Sequence, residues 1–178
     1  VNPKGMSITG VSYINLRGLE VRNVMGSFPD VSYGIYVDGS NINFERITVR
    51  NIDGGGYKLD GDNLFFTNCD AISCYDQFSS NPGSGGDGWL VRSDGNDFLV
   101  SFTGCRAMYC SSDGWDCSQN DGVVTFNYCW AFSNGKDSGG THYSSGSDGN
   151  GFNLGNNTMD ATGKTQRSLK NCIAASNY

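Results

Sequence analysis

The sequence is short of several features that common functional classes require. It has no basic run and no base-stacking motif. Its 12 Lys and Arg against 18 Asp and Glu leave a net charge of −6, which argues against a nucleic-acid partner. No apolar stretch approaches the length of a membrane span, and no basic, then apolar leader opens the chain. No membrane partner is therefore expected. Helical periodicity is missing over any useful length. The single histidine, His142, lies in the Gly/Ser-rich loop 138–149, and no Ser-His-Asp arrangement is supported. Seven cysteines, an odd number, exclude a complete intramolecular disulfide framework. The chain begins and ends inside patterned segments, as a mature chain or the core of a longer solenoid would. The missing leader therefore says little about location.

What is present is glycine and aromatic residues in a regular pattern. There are 26 Gly in 178 residues, and aromatics reach 12%. Recurring apolar positions argue against disorder, and this length supports one domain with a real core. One phrase recurs six times: Leu16-Arg17-Gly18-Leu19, Phe44-Glu45-Arg46-Ile47, Phe66-Thr67-Asn68-Cys69, Phe102-Thr103-Gly104-Cys105, Phe126-Asn127-Tyr128-Cys129 and Leu169-Lys170-Asn171-Cys172. A second phrase, Gly followed by an aromatic or Ile, precedes five of these: Gly34-Ile35, Gly56-Tyr57, Gly88-Trp89, Gly114-Trp115 and Gly151-Phe152. Each period thus carries at least two short strands joined by polar turns.

Short strands in an elastic period point to a stacked architecture. A parallel β-helix tolerates turns of unequal length, because a long turn projects sideways without disturbing the stack. We expect an all-β solenoid of about six coils, forming a single domain over residues 1–178. Equivalent positions should then form columns. Ile35, Tyr57, Trp89, Trp115 and Phe152 make one inward column. Val37, Leu59, Val91, Cys117 and Leu154 make a second. Leu19, Ile47, Cys69, Cys105, Cys129 and Cys172 make a third. Five cysteines thereby read as small core groups, since thiols stacked in one column do not form a tetrahedral metal site. Cys74 and Cys110 each follow a phrase Phe by eight residues, so they should stack on adjacent coils. A Cys74–Cys110 disulfide is compatible with that spacing.

The segments Asp87-Gly88-Trp89, Cys105-Arg106-Ala107, Ser112-Asp113-Gly114-Trp115-Asp116, Cys129-Trp130-Ala131 and Asp148-Gly149-Asn150-Gly151-Phe152-Asn153-Leu154-Gly155 together resemble the family nine polysaccharide lyases. These are secreted pectate lyases with a right-handed parallel β-helix. The resemblance is clearest over residues 86–155. It implies a secreted, extracellular protein acting on an acidic polysaccharide such as polygalacturonate. It also implies a Ca²⁺ site of four aspartates, which fall here on Asp87, Ser112, Asp113 and Asp116. The family's catalytic lysine falls on Asn153. Three ligands are thus retained, one is replaced by Ser, and the base is replaced by an amide.

β-Elimination removes the weakly acidic proton at C5 of a uronate and expels the 4-linked sugar. A hard cation bridging the uronate carboxylate to the protein stabilises the enolate-like intermediate. A neutral Lys or Arg must then take the proton. Asp87 and Asp113 precede the glycines of adjacent coils, and two stacked carboxylates repel unless a cation relieves them. The plainer reading is that Asp-Gly only makes turns, as at Asp38-Gly39. Asn153 cannot act as a general base. Lys58 shares its outward column, two coils below Asp116, and is a substitute base or an ordinary solvated lysine. Arg106 projects outward and is a uronate clamp or a surface charge. Arg92 and Lys136 are further cations near the site. Tyr109, Trp130 and Phe132 are outward aromatics that can stack on sugars or pack on loops. Asn156 opens a glycosylation sequon.

Two functions follow. One is Ca²⁺-assisted β-elimination or binding of uronate polysaccharide. The other is a non-catalytic extracellular β-helix. Its open ends would permit head-to-tail self-association into a filament.

Overall fold

A computed structural model describes residues 3–93, 98–120, 122–136, 139–142, 148–155 and 166–178. Six coils follow one another. The first holds β1 (Lys4–Ser12), β2 (Asn15–Arg17) and β3 (Glu20–Val24). The second holds β4 (Ser32–Ser40), β5 (Ile42–Glu45) and β6 (Thr48–Ile52). The third holds β7 (Gly54–Leu59), β8 (Leu64–Thr67) and β9 (Asp70–Cys74). The fourth holds β10 (Trp89–Ser93), β11 (Leu99–Thr103) and β12 (Arg106–Met108). The fifth holds β13 (Trp115–Asn120), β14 (Val123–Asn127) and β15 (Trp130–Phe132). The sixth holds β16 (Phe152–Asn153), β17 (Gln166–Lys170) and β18 (Ile173–Ala175).

These strands form three 6-stranded parallel sheets, ordered β1-β4-β7-β10-β13-β16, β2-β5-β8-β11-β14-β17 and β3-β6-β9-β12-β15-β18. Every coil contributes one strand to each sheet, which is a parallel β-helix. No helix occurs among the described residues, so none is long and apolar enough to cross a membrane.

Three strands per coil meet the expectation of at least two. The phrase around each Phe is not one strand but two, broken by a single left-handed residue. That residue is Gly18 (φ 66°), Arg46 (53°), Asn68 (53°), Gly104 (65°), Tyr128 (55°) or Asn171 (55°) in successive coils. A second left-handed set, Asn23, Asn51, Ser73, Tyr109, Ser133 and Ser176, lies at the far end of the third sheet. One residue at positive φ turns the chain sharply between two sheets. Gly and Asn carry that conformation at low cost. Arg46 and Tyr128 carry it too, which is why residue type alone hid the corner.

The interior is two aromatic stacks that meet edge-on. Tyr57 lies 3.7 Å from Trp89, Trp89 6.0 Å from Trp115, and Trp115 4.7 Å from Phe152, all within 5° of parallel. Phe44, Phe66, Phe102 and Phe126 stack at 4.4–5.3 Å. The two stacks cross at steep angles, as between Trp89 and Phe102 at 5.1 Å and 73°. Offset-stacked and edge-on pairs are each worth about 0.5–1.5 kcal/mol beyond area burial.

The third column is a ladder of thiols. Cys69, Cys105 and Cys129 are fully buried, and each Sγ donates to the carbonyl two residues earlier, on Thr67, Thr103 and Asn127, at 3.4–3.6 Å. The columns hold in the middle and fail at the ends. Leu19 and Leu154 are exposed, at 37% and 38%, and Cys172 is half-buried. Leu154 follows β16 and does not continue the strand. The chain also slips register between Leu90 and Arg92, opposite Asp116 and Gln119.

Cys74 and Cys110 are buried free thiols on adjacent coils, where Ser111 N donates to Cys74 O at 2.8 Å. The Cys74 thiol donates to Ile72 O and the Cys110 thiol to Met108 O, and the neighbouring Cys110 side chain together with burial raises the Cys74 thiol well above its ordinary pKa. The stacking matches the expected spacing, but no bridge joins the two sulfurs here.

Candidate functional site

The aspartates sit where the chain leaves a third-sheet strand and enters the first sheet. Gly56 N donates to Asp87 O at 2.8 Å, Gly88 N to Asp113 O at 2.9 Å, and Gly114 N to Asn150 O at 2.8 Å. Asp87, Asp113 and Asn150 are therefore equivalent residues of successive coils. Their side chains repeat one contact. Asp87 Oδ1 accepts the backbone N–H of Asp113 at 3.0 Å, and Asp113 Oδ1 accepts that of Asn150 at 2.8 Å. Each carboxylate thus satisfies the amide of the coil above, the buried-polar pairing that a solenoid corner demands.

Asp113 is the most heavily bonded. Asn150 Nδ2 donates to its Oδ1 at 2.9 Å, and Asn153 Nδ2 donates to its Oδ2 at 3.0 Å. The Ser112 side chain lies beside Asp87 and favours its charged form, against the rise from burial. Asp116 Oδ1 accepts the Ser118 N–H at 2.8 Å. Asp116 pairs in register with Leu90 below and Asn153 above. None of the three aspartates makes an ion pair among the described residues.

Electrostatics follow from this crowding. Burial raises the Asp87 carboxyl well above its ordinary pKa, and the Asp116 and Asp113 charges add to the rise. Burial also raises Asp113, while its bonds from Asn153 and Asn150 pull the other way. The donor set is hard oxygen throughout, which suits Ca²⁺ in kind. The conformation is not that of a closed cage. Among the described residues no group of three or more His, Cys, Asp or Glu side chains gathers to hold a metal ion. The Asp113 carboxylate in particular is turned onto two asparagines.

The remaining sequence candidates separate from this cluster. Lys58 occupies the expected column, below Leu90. It is engaged there, 3.2 Å from Asp60 Oδ2, with its ammonium 5.3 Å from the Tyr36 ring. Leu90 is buried despite its outward register and stands between Lys58 and Asp116. Arg106 is not beside the aspartates. It lies on β12 in the third sheet and clamps Asp70 with two bonds of 2.7 and 2.6 Å. Parallel pairing sets Arg106 directly opposite Asp70, so strand register decides its partner. Lys136 donates to Ser176 O at 2.9 Å, and the His142 ring rests 4.3 Å from Tyr178. Tyr109 meets Phe132 edge-on at 5.9 Å, whereas Trp130 is 48% exposed. Asn156 lies outside the described residues.

The residue that sequence reasoning missed is Asn150. The signal was available: Asn150-Gly151-Phe152 is a third copy of Asp87-Gly88-Trp89 and Asp113-Gly114-Trp115, with the acid replaced by its amide.

The family model described as the Pel9A-like right handed β-helix region matches residues 1–178. Pectate lyase L of Paenibacillus polymyxa (strain SC2) is 28% identical over 187 aligned residues, covering 98% of this chain and 39% of that protein. Pectate lyase L of Dickeya chrysanthemi is 31% identical over 170, covering 93% of this chain and 37% of that protein. The crystal structure of pectate lyase Pel9A superposes with a TM-score of 0.80 at 28% identity, over 98% of this chain and 40% of its own. A rhamnogalacturonan lyase superposes at 0.76 with 27% identity, over 96% of this chain and 44% of its own. The chain thus spans about two-fifths of the length of these relatives.

Proposed function

This chain belongs to the family of Pel9A-like right-handed β-helix regions, and on that premise we propose that it binds an acidic, uronate-containing polysaccharide through a Ca²⁺ site without eliminating it. Asp87, Asp113, Asp116 and the Ser112 hydroxyl are the residues that would hold the cation. Bound there, Ca²⁺ would supply charge neutralisation to a uronate carboxylate. The similarity to pectate lyases supports the acidic substrate class, and an extracellular location goes with it.

One observation carries the reading: Asn153 Nδ2 donates to Asp113 Oδ2 at 3.0 Å. An amide has no basic lone pair at neutral pH, so it cannot take the C5 proton. Its donor is spent on a carboxylate, which leaves Asn153 a structural partner of the acidic cluster. Lys58, the other candidate base, is held by Asp60 and separated from Asp116 by Leu90. What the chain's own residues supply is a buried, underneutralised pair of carboxylates. Such a pair gains from a cation, because burial and mutual repulsion both disfavour its charged form.

The test is calorimetric titration of trigalacturonate into the protein with Ca²⁺ and again with chelator. Binding that needs Ca²⁺ and is lost in Asp113→Asn is expected. Equal binding in chelator would refute the cation site.

A further inference from the structure

We infer that a second saccharide site, selective for a neutral pyranose ring, lies at the corner between the second and third sheets, away from the aspartate cluster. The corner residues form a ladder, Arg46, Asn68, Gly104, Tyr128 and Asn171, all at positive φ. Gly104 is the one rung of these five without a side chain. Around it lies a depression of about 420 Å³ lined by Asn68, Gly104, Arg106, Tyr128 and Trp130, with the Asn68 amide over Gly104. That volume falls within the range of small-molecule sites, about 300–1,000 Å³. Tyr128 and Asn68 stand two coils apart, or about 10 Å at the spacing of neighbouring strands.

The lining has the chemistry of a sugar platform. Tyr128 and Trp130 are 57% and 48% exposed, whereas Trp89 and Trp115 are fully buried. An exposed aromatic face accepts the C–H face of a pyranose, and polar groups at its edge take the hydroxyls. Asn68 offers an amide. Arg106 has five N–H donors and spends two of them on Asp70, which leaves three for ring hydroxyls. The ion pair also decides the class of sugar. Asp70 already neutralises Arg106, so the depression offers no uncompensated cation to a uronate carboxylate. A neutral ring needs none.

Only one of the three tryptophans is exposed, so its fluorescence reports on this site. The experiment measures acrylamide quenching of the protein in chelator, which leaves the aspartate site without its cation. Cellotetraose, xylotetraose and galactotetraose are the neutral probes, and tetragalacturonate is the acidic one. Gly104→Asn fills the depression while keeping its backbone, because Asn68 and Asn171 hold the same φ. The added Cβ would meet Asn68 Oδ1, the end of a flexible side chain that must shift to make room. Protection of Trp130 by at least one neutral probe is expected, weakened about tenfold in Gly104→Asn, the loss of roughly one stacking contact. Protection by tetragalacturonate alone, protection by none, or unchanged affinity in Gly104→Asn would overturn the proposal. If Gly104→Asn does not fold, calorimetry of Trp130→Ala with the same probes decides: retained neutral-sugar affinity overturns it, and loss supports it. Failure here leaves the aspartate site untouched, since the two lie on different corners.

Discussion

Asn153 and Asp113 meet between neighbouring coils, with the amide of one donating to the carboxylate of the other at 3.0 Å. This bond holds an oxygen that a cation would otherwise use. Asn153→Ala should therefore free Asp113 Oδ2 and strengthen Ca²⁺ binding severalfold. It should also cost about 1 kcal/mol of ion-free stability, the worth of one hydrogen bond. Calcium titration followed by calorimetry, with a urea melt in chelator, checks both.

The raised carboxyls make ion-free stability depend on pH in a defined sense. Asp87 and Asp113 both titrate above their ordinary value of 3.8. Between that value and their raised values the folded chain holds more protons than the unfolded one. Stability is then greatest below the ordinary value and falls as pH rises through the raised ones. Thermal melts in chelator from about pH 4 to about pH 8 should show this decline, and Asp87→Asn should flatten it. Ca²⁺ at a hundred times its dissociation constant should return about 2.7 kcal/mol at neutral pH. A chain equally stable with and without Ca²⁺ would contradict the site.

The aromatic interior sets a larger scale. Trp89→Ala removes a ring stacked between Tyr57 and Trp115, and should cost about 3–5 kcal/mol. Gly54→Ala should also be severe for a different reason. Its φ is 144°, and a Cβ there would meet the Ser32 backbone carbonyl oxygen. Urea denaturation of the two variants checks the prediction; a loss below about 1 kcal/mol in Trp89→Ala would count against a tightly packed stack.

Cys74 and Cys110 are buried thiols on adjacent coils. We propose that they are the pair most readily bridged on oxidation. Peptide mass analysis after mild oxidation should find Cys74 linked to Cys110, with Cys69, Cys105 and Cys129 unpaired. A bridge within the thiol ladder instead would be the opposite outcome.

Much of this was legible before any coordinates. The Gly-aromatic phrase gave the inward column Ile35–Tyr57–Trp89–Trp115–Phe152, because side chains on parallel strands stack at one spacing. The Phe phrase gave the thiol ladder for the same reason. The third strand of each coil was not legible, because a single left-handed residue such as Arg46 or Tyr128 makes the corner without a Gly or Pro to mark it. The partner of Arg106 was not legible. Asp70 is 36 residues away, and only strand register brings them together. At the candidate site the aspartates were named from the sequence, but their bonds were not. Asp87 and Asp113 each cap the amide of the next coil, a task visible only once the coils are stacked.

The central claim is that this chain binds uronate polymer with Ca²⁺ but lacks the base to cleave it. The direct measurement is ultraviolet absorbance of unsaturated product during incubation with polygalacturonate and Ca²⁺ across alkaline pH, for the parent chain and for Asn153→Lys. The account predicts no product from the parent. It predicts product from Asn153→Lys, with a rate gain on the order of 10²–10⁴, the usual contribution of a positioned general base. Product from the parent chain at a rate that Asn153→Lys does not increase would contradict it.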